Sequence, residues 1–445
     1  MKIRNLGHDK LELGFFIAIA VCLFLLLSSI DTAYAHNTDP NTNATYRDQA
    51  KRIHERLIGV PPTEEALNVM ANYIDPTVDG SVSGGGSTIS QPELAALYAM
   101  TPDNNPANGN PRGWLFYSVS LKNWITPWTN VEQTMFAPLN DYTATVIGMI
   151  LNDDPFNEVL SAPYIYTGNV AAINSAYSMS LPSYSRTNNN HYEQMESNNV
   201  DLSQYLVKTT QASLGLAGSS QGDSAGVVTT RAAGEAFFSA GTNRRMFRFT
   251  MMNFMCRDLE DVKDITRVPD GIRQDVSRSP GGDSSLFLNS CIGCHSGMDP
   301  MARAYAYYEW TEDDNGDNGQ VVYSNGLFVQ PKYHINRTNF EYGYVTRNHS
   351  WENYWREGPN AALEWNWGTL STTGSGNGAR ELGMEIANTH AFAQCQVEKV
   401  YKQVCLQDPI DVHAADLQTI TANFRDGGYR LKQVFADVAT LCMGN

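Results

Sequence analysis

Two cysteines three residues apart, with a histidine directly after them, are the residues of this chain best suited to chemistry: Cys291-Ile292-Gly293-Cys294-His295. C-x-x-C-H is the attachment pattern of a c-type haem. Two thiols add to the two vinyl groups of the porphyrin, and a two-residue spacer lets one helical turn reach both. The adjacent imidazole then becomes the proximal iron ligand. A zinc half-site, a redox dithiol and a chance pair are the rival readings. Structural zinc needs a second ligand pair, and the sequence contains no other C-x-x-C and no H-x₃₋₅-H. A thioredoxin-like dithiol wants a strand before it and a parallel sheet around it, whereas the preceding "DSSLFLNS" reads as the first turns of the same helix. The motif therefore predicts one covalent haem c, held by Cys291 and Cys294, with His295 on the iron.

A sixth iron ligand is harder to place. Met298 lies three residues past His295 on the same side of the ring, so it cannot reach the distal face and is assigned to packing. Asp299-Pro300 reads as the cap and first residue of a fresh helix. Met384, His349, His390 and Met443 are the distal candidates downstream, and Met384 is singled out because it points away from the apolar stripe of its helix. An iron without a sixth ligand would favour ligand binding or catalysis over pure electron transfer. Three weaker signals compete. "GSSQG" (218–222) and "GDSAG" (222–226) match the hydrolase elbow G-x-S-x-G but lack the strand and helix that motif requires. "DDNGDNG" (313–319) lacks the glycine and glutamate of a calcium loop and reads as a hairpin tip. Trp351, Trp355, Trp365 and Trp367 suit either a haem pocket or ordinary core.

The elements that must position these residues are mainly helical. "ATYRDQAKRIHERLIG" (44–59) is amphipathic, and "VPPTEEALNVMANYI" restarts the helix with Thr63 as its N-cap. Further helices are expected at 92–100, 132–152, 241–256, 380–404, 413–425 and 429–441. "SVSGGGSTIS" (81–90) is a break, 180–225 a long polar loop or joint, and 276–284 a loop leading into the motif. "TEDDNGDNGQVVYSNGLFV" reads as a short β-hairpin.

Composition bounds the class. Hydrophobic residues make up 42% of 445 and charged residues 18%, which is enough apolar material to exclude wholesale disorder. Residues 1–35 have the layout of a secretory signal peptide: a basic start at Lys2, Arg4 and Lys10, an apolar run from Leu13 to Ile30, then Ala33-Tyr34-Ala35. An uncleaved anchor is the alternative, and it is the one route to a membrane. The leader carries three basic and three acidic groups, so the net charge of −16 belongs to the remainder. Such acidity argues against binding nucleic acid or anionic lipid, and suits a basic redox partner. Export delivers thiols to an oxidising compartment, where they pair. Cys395 and Cys405 cannot bond each other along one helix, because ten residues rise ~15 Å while bridged Cα atoms sit within ~7 Å. Cys256 is expected to take one of them and Cys442 the other, with buried free thiols as the alternative.

The chain resembles the planctomycete-type c cytochromes, large exported bacterial proteins with helical domains and a single C-x-x-C-H module. Four stretches, covering about half the chain, carry the likeness. They are "RIHERLIGVPPTEEA" (52–66), "AGVVTTRAAGEAFFSAGTNRRMFRFTMMNFMC" (225–256), "CIGCHSGMDPMARAYAYYEWTEDDNGDNG" from Cys291, and the closing helices from "NGARELGMEIANTH" onward. Of these, only the haem motif is specific by itself; the N-terminal likeness is short, and 150–225 carries none of the resemblance. The resemblance implies a helical N-terminal region at 36–224 and a helical cytochrome c-like haem domain with a small β-hairpin at 225–445. It carries over only Cys291, Cys294 and His295. The expectation is an exported, periplasmic or secreted bacterial monohaem cytochrome serving electron transfer with a periplasmic redox partner. A peroxidase- or oxygenase-like haem enzyme with an open distal site is the alternative.

Overall fold

Thr63 accepts a hydrogen bond from the Ala66 amide and so starts helix α2 (Glu64–Ile74) where the sequence places its cap. The computed structural model describes residues 45–77, 90–238, 242–267, 270–272, 284–313, 318–325, 327–334 and 344–444. The apolar leader at 1–35, the glycine-rich break at 81–89 and the loop at 276–283 lie outside these residues, as does most of the 313–319 hairpin tip. No helix among the described residues is long and apolar enough to cross a membrane.

The fold is mainly α with small β-hairpins. Helix α1 (Tyr46–Ile58) buries Ile53, Leu57 and Ile58 against α2, and α2 packs on α3 (Gln91–Ala99), which opens with a capping box between Ser90 and Glu93. Helix α4 runs over Asp141–Leu151, beginning at an Asn140 cap rather than at the expected 132. Strands β1 (Tyr164–Gly168) and β2 (Leu206–Thr210) pair antiparallel. After them come helices α5 (Arg231–Phe237) and α6 (Arg244–Met255), then α7 (Ile292–Ala302), which carries most of the cysteine motif. The expected hairpin forms from β3 (Tyr308–Glu312) and β4 (Gly319–Tyr323), and a last pair from β5 (Ser350–Glu352) and β6 (Ser375–Asn377). Four helices close the chain: α8 (Gly378–Ala387), α9 (His390–Cys405), α10 (Ala414–Asp426) and α11 (Leu431–Leu441).

Three sequence expectations need correction. The polar stretch 180–225 is not one long loop: it folds into the short helices Asn190–Ser197 and Leu202–Tyr205 and supplies β2. The single helix expected over 380–404 breaks at Asn388-Thr389. There the Asn388 side chain bonds both the Leu370 amide and carbonyl, and Thr389 caps α9 by accepting from the Phe392 amide. Asp299-Pro300 does not start a fresh helix: both lie inside α7, with Pro300 near its end.

One packing chain links the motif to the rest of the fold. Helix α7 docks on α6, α6 on α9, α9 on α11, and α11 on α3. A single buried apolar cluster accordingly runs from Ala50 to Ala439, across the 224/225 boundary drawn from the sequence. Asp141 ties the two sides directly, its carboxylate accepting from the Arg231 and Ala232 amides at the start of α5. Two disulfides, Cys256–Cys395 and Cys405–Cys442, fasten α6 to α9 and α9 to the end of α11. This is one of the two pairings that helical rise left open.

Candidate haem-attachment site

The motif enters on a wide helical turn. Phe287–Cys291 is π-helical and leads straight into α7, an insertion often found at functional sites. Cys291 and Cys294 stand three residues apart on this continuous helix. Both are half-buried and unbridged, while the other four described cysteines are paired.

A loop after α6 holds the cysteine-bearing turn from behind. The Asp264 amide donates to the Gly293 carbonyl at 2.8 Å, and Ser296 Oγ donates to the Asp264 carbonyl at 2.7 Å. The Asp264 carboxylate in turn accepts from the amide and hydroxyl of Thr266. Cys294 Sγ points at the Leu259 carbonyl, 3.5 Å away. Burial pushes the Cys294 thiol up, and nearby Glu260 adds to the effect. One turn on, Gly297 lies flat against the buried Trp355 indole, where a Cβ would overlap the ring.

His295 is fixed by an acid that the sequence reading passed over. Asp299, one turn further along α7, places both carboxylate oxygens 3.1 Å from His295 Nδ1. Arg244, the first residue of α6, grips the same carboxylate in a two-pronged pair, Nε to Oδ1 at 2.7 Å and Nη2 to Oδ2 at 2.8 Å. Burial alone would push the Asp299 carboxyl up; Arg244 and His295 together overcome this and hold it well below the usual carboxylate range. An ionised carboxylate can only accept, so Nδ1 carries the hydrogen and, in the neutral ring, Nε2 keeps its lone pair free for a metal. The spacing of His295 and Asp299 was visible as an i, i+4 pair once α7 was known to continue through Pro300.

These residues fit a haem. The donor set is two open thiols and one oriented imidazole on a single turn. Large apolar side chains beside it face solvent: Leu286 and Leu288 just upstream, and Ile265, which lies against Gly293 and is 76% exposed. Exposed apolar side chains near the donor set are compatible with an apolar group lying there. A zinc cage needs a second ligand pair that the sequence does not offer, and among the described residues no group of three or more His, Cys, Asp or Glu side chains is arranged to hold a metal ion between them.

Three of the four distal candidates have partners elsewhere. His349 stacks on Tyr307 at 4.2 Å, with Nδ1 3.8 Å from Asp223. His390 sits edge-on to Trp367 at 4.9 Å. Met443 packs at the other end of the helical chain, its carbonyl accepting from Arg52. Met384 is half-buried on α8 and stands apart from the main core, but α8 packs chiefly on the turn Arg303–Tyr305, β6 and the Phe156–Glu158 turn. Met298 is buried core, as assigned. Trp351 and Trp355 are core as well, and Trp365 Nε1 donates to the Trp355 carbonyl. The two G-x-S-x-G matches run through 3₁₀ turns, Ser219–Gln221 and Gly226–Thr229, rather than a strand-to-helix corner.

No protein-family model matches the chain, and no curated protein or solved structure matches it either. The likeness to planctomycete-type c cytochromes therefore rests on the quoted residues.

Proposed function

We propose that this protein is an exported c-type cytochrome that binds one haem covalently through Cys291 and Cys294, takes His295 as the proximal ligand, and passes electrons to a periplasmic partner protein. What carries the reading is that the only unbridged cysteines among those described stand one helical turn apart, next to a histidine whose Nδ1 is already committed to Asp299. The bound haem would supply a one-electron iron couple. The chain's own residues do the rest. The loop 259–266 and Trp355 hold the turn rigid from behind, and Leu286, Leu288 and Ile265 offer apolar cover. The acidic surface, with a net charge of −16, suits a basic partner. Periplasmic export is the compartment in which such attachment takes place, and the 1–35 leader would provide it.

The test is intact mass and a visible spectrum of the protein purified from the periplasm. One covalent haem is expected in the wild type and none in C291A/C294A. A colourless wild type with the mass of the bare polypeptide would sink the reading. A second reading, a haem enzyme with an open distal site, is favoured by the carboxylate at His295, since a more basic proximal histidine supports higher iron oxidation states. Binding of CO by the reduced protein, absent in a six-coordinate carrier, separates the two.

A further inference from the structure

We propose that Asp299 and Arg244 form an opposed pair of positioning residues that set how strongly His295 donates to a bound metal. This rests on the haem reading above and goes beyond it by assigning the reduction potential to named groups outside the ligand set.

One carboxylate serves two claimants. His295 Nδ1 lies 3.1 Å from each oxygen, and the Arg244 fork holds the same two oxygens at 2.7 and 2.8 Å. The Asp299 side chain is 5% exposed, so water does little to share or screen its charge. A histidine that hydrogen-bonds an anion becomes a more basic ligand, which favours the oxidised metal and lowers the potential. A cation on that anion withdraws part of the effect. Asp299 therefore pushes the potential down, and Arg244 limits how far. Geometry assigns the second role to Arg244 in particular, because it reaches Asp299 from another helix, 55 residues away in sequence.

The bland alternative is that Arg244–Asp299 is only a brace between α6 and α7. A brace and a tuning pair differ in sign. Removing either half of a brace loosens the same contact, so both variants would shift the potential the same way. Removing the two halves of an opposed pair shifts it in opposite directions.

The experiment is an equilibrium redox titration of the purified holoprotein, with intact mass recorded for each sample. D299N keeps an oxygen that can accept from Nδ1 but removes the charge. At the wild-type midpoint its reduced-to-oxidised ratio should rise about tenfold, equivalent to about 59 mV for one electron. R244Q should shift the ratio the opposite way. R244K keeps the cation and loses the fork; it should fall between wild type and R244Q, and it stands in should R244Q fail to fold. Shifts of one sign, or none, overturn the proposal while leaving the haem reading in place. A wild type without covalent haem overturns both.

Discussion

At the scale of single residues, the site depends on which charged groups are forced together. Asp437 on α11 shows the same physics away from the motif. It faces Glu93, the capping-box acid of α3, and accepts from Gln433 Nε2 at 2.8 Å. Burial first, and Glu93 second, push its carboxyl up to about 6. The folded chain thus holds that proton more tightly than the unfolded chain. The stability this confers is fully present below about pH 4 and is lost as the pH rises through about 6. D437N is expected to add about 1 kcal/mol at about pH 7, discounted for partial solvent screening, and nothing below about pH 4. Urea melts at the two pH values check it; equal effects at both would refute the assignment. The juxtaposition of Cys291, Cys294 and His295 on one turn was legible in the sequence because the motif is contiguous. Asp299 was not, because its role needs α7 to continue past Pro300 and Arg244 to arrive from a separate helix.

At the scale of elements, helix α7 is as constrained by what lies behind it as by what it presents. Gly297 lets the helix backbone lie on Trp355, which is wholly buried and also packs near Phe247 of α6. A methyl there would push α7 off that ring. G297A is expected to cost about 2–3 kcal/mol through overpacking and, on the haem reading proposed above, to lower the fraction of chains carrying covalent pigment by displacing the cysteine-bearing turn. Thermal melts and the pigment-to-protein ratio measure the two effects, and a variant as stable and as coloured as wild type would show the contact to be slack. Caps and helical periodicity made most elements readable, Thr63 and α2 among them. They failed over 180–225, where polar composition hid short helices whose packing is tertiary, as when His191 accepts from the Gly168 amide of β1. They failed again at Asn388-Thr389, where the apolar stripe runs on but the two side chains stop the helix.

At the scale of the whole molecule, the apolar cluster joins both sides of the 224/225 boundary. A chain beginning at residue 225 would lose Asp141 from the start of α5 and expose the face of α11 that packs on α3. Such a fragment is expected to aggregate or to melt without cooperativity, whereas residues 46–444 should unfold in one transition. Calorimetry of both decides it; a fragment with its own sharp transition would support the boundary.

The disulfides impose a sorting problem on this molecule as it matures. If the chain is exported and trimmed as proposed, six thiols would enter an oxidising space in chain order, and the fold bridges Cys256 with Cys395 and Cys405 with Cys442 while two neighbours stay open. Cys256 and its mate are 139 positions apart, so the open pair is made well before Cys395 appears. In that interval Cys291 and Cys294 are the nearest oxidisable company Cys256 has. On that reading, correct assembly would depend on timing as well as on geometry: a group that claims the open pair early would keep Cys256 from bonding to it.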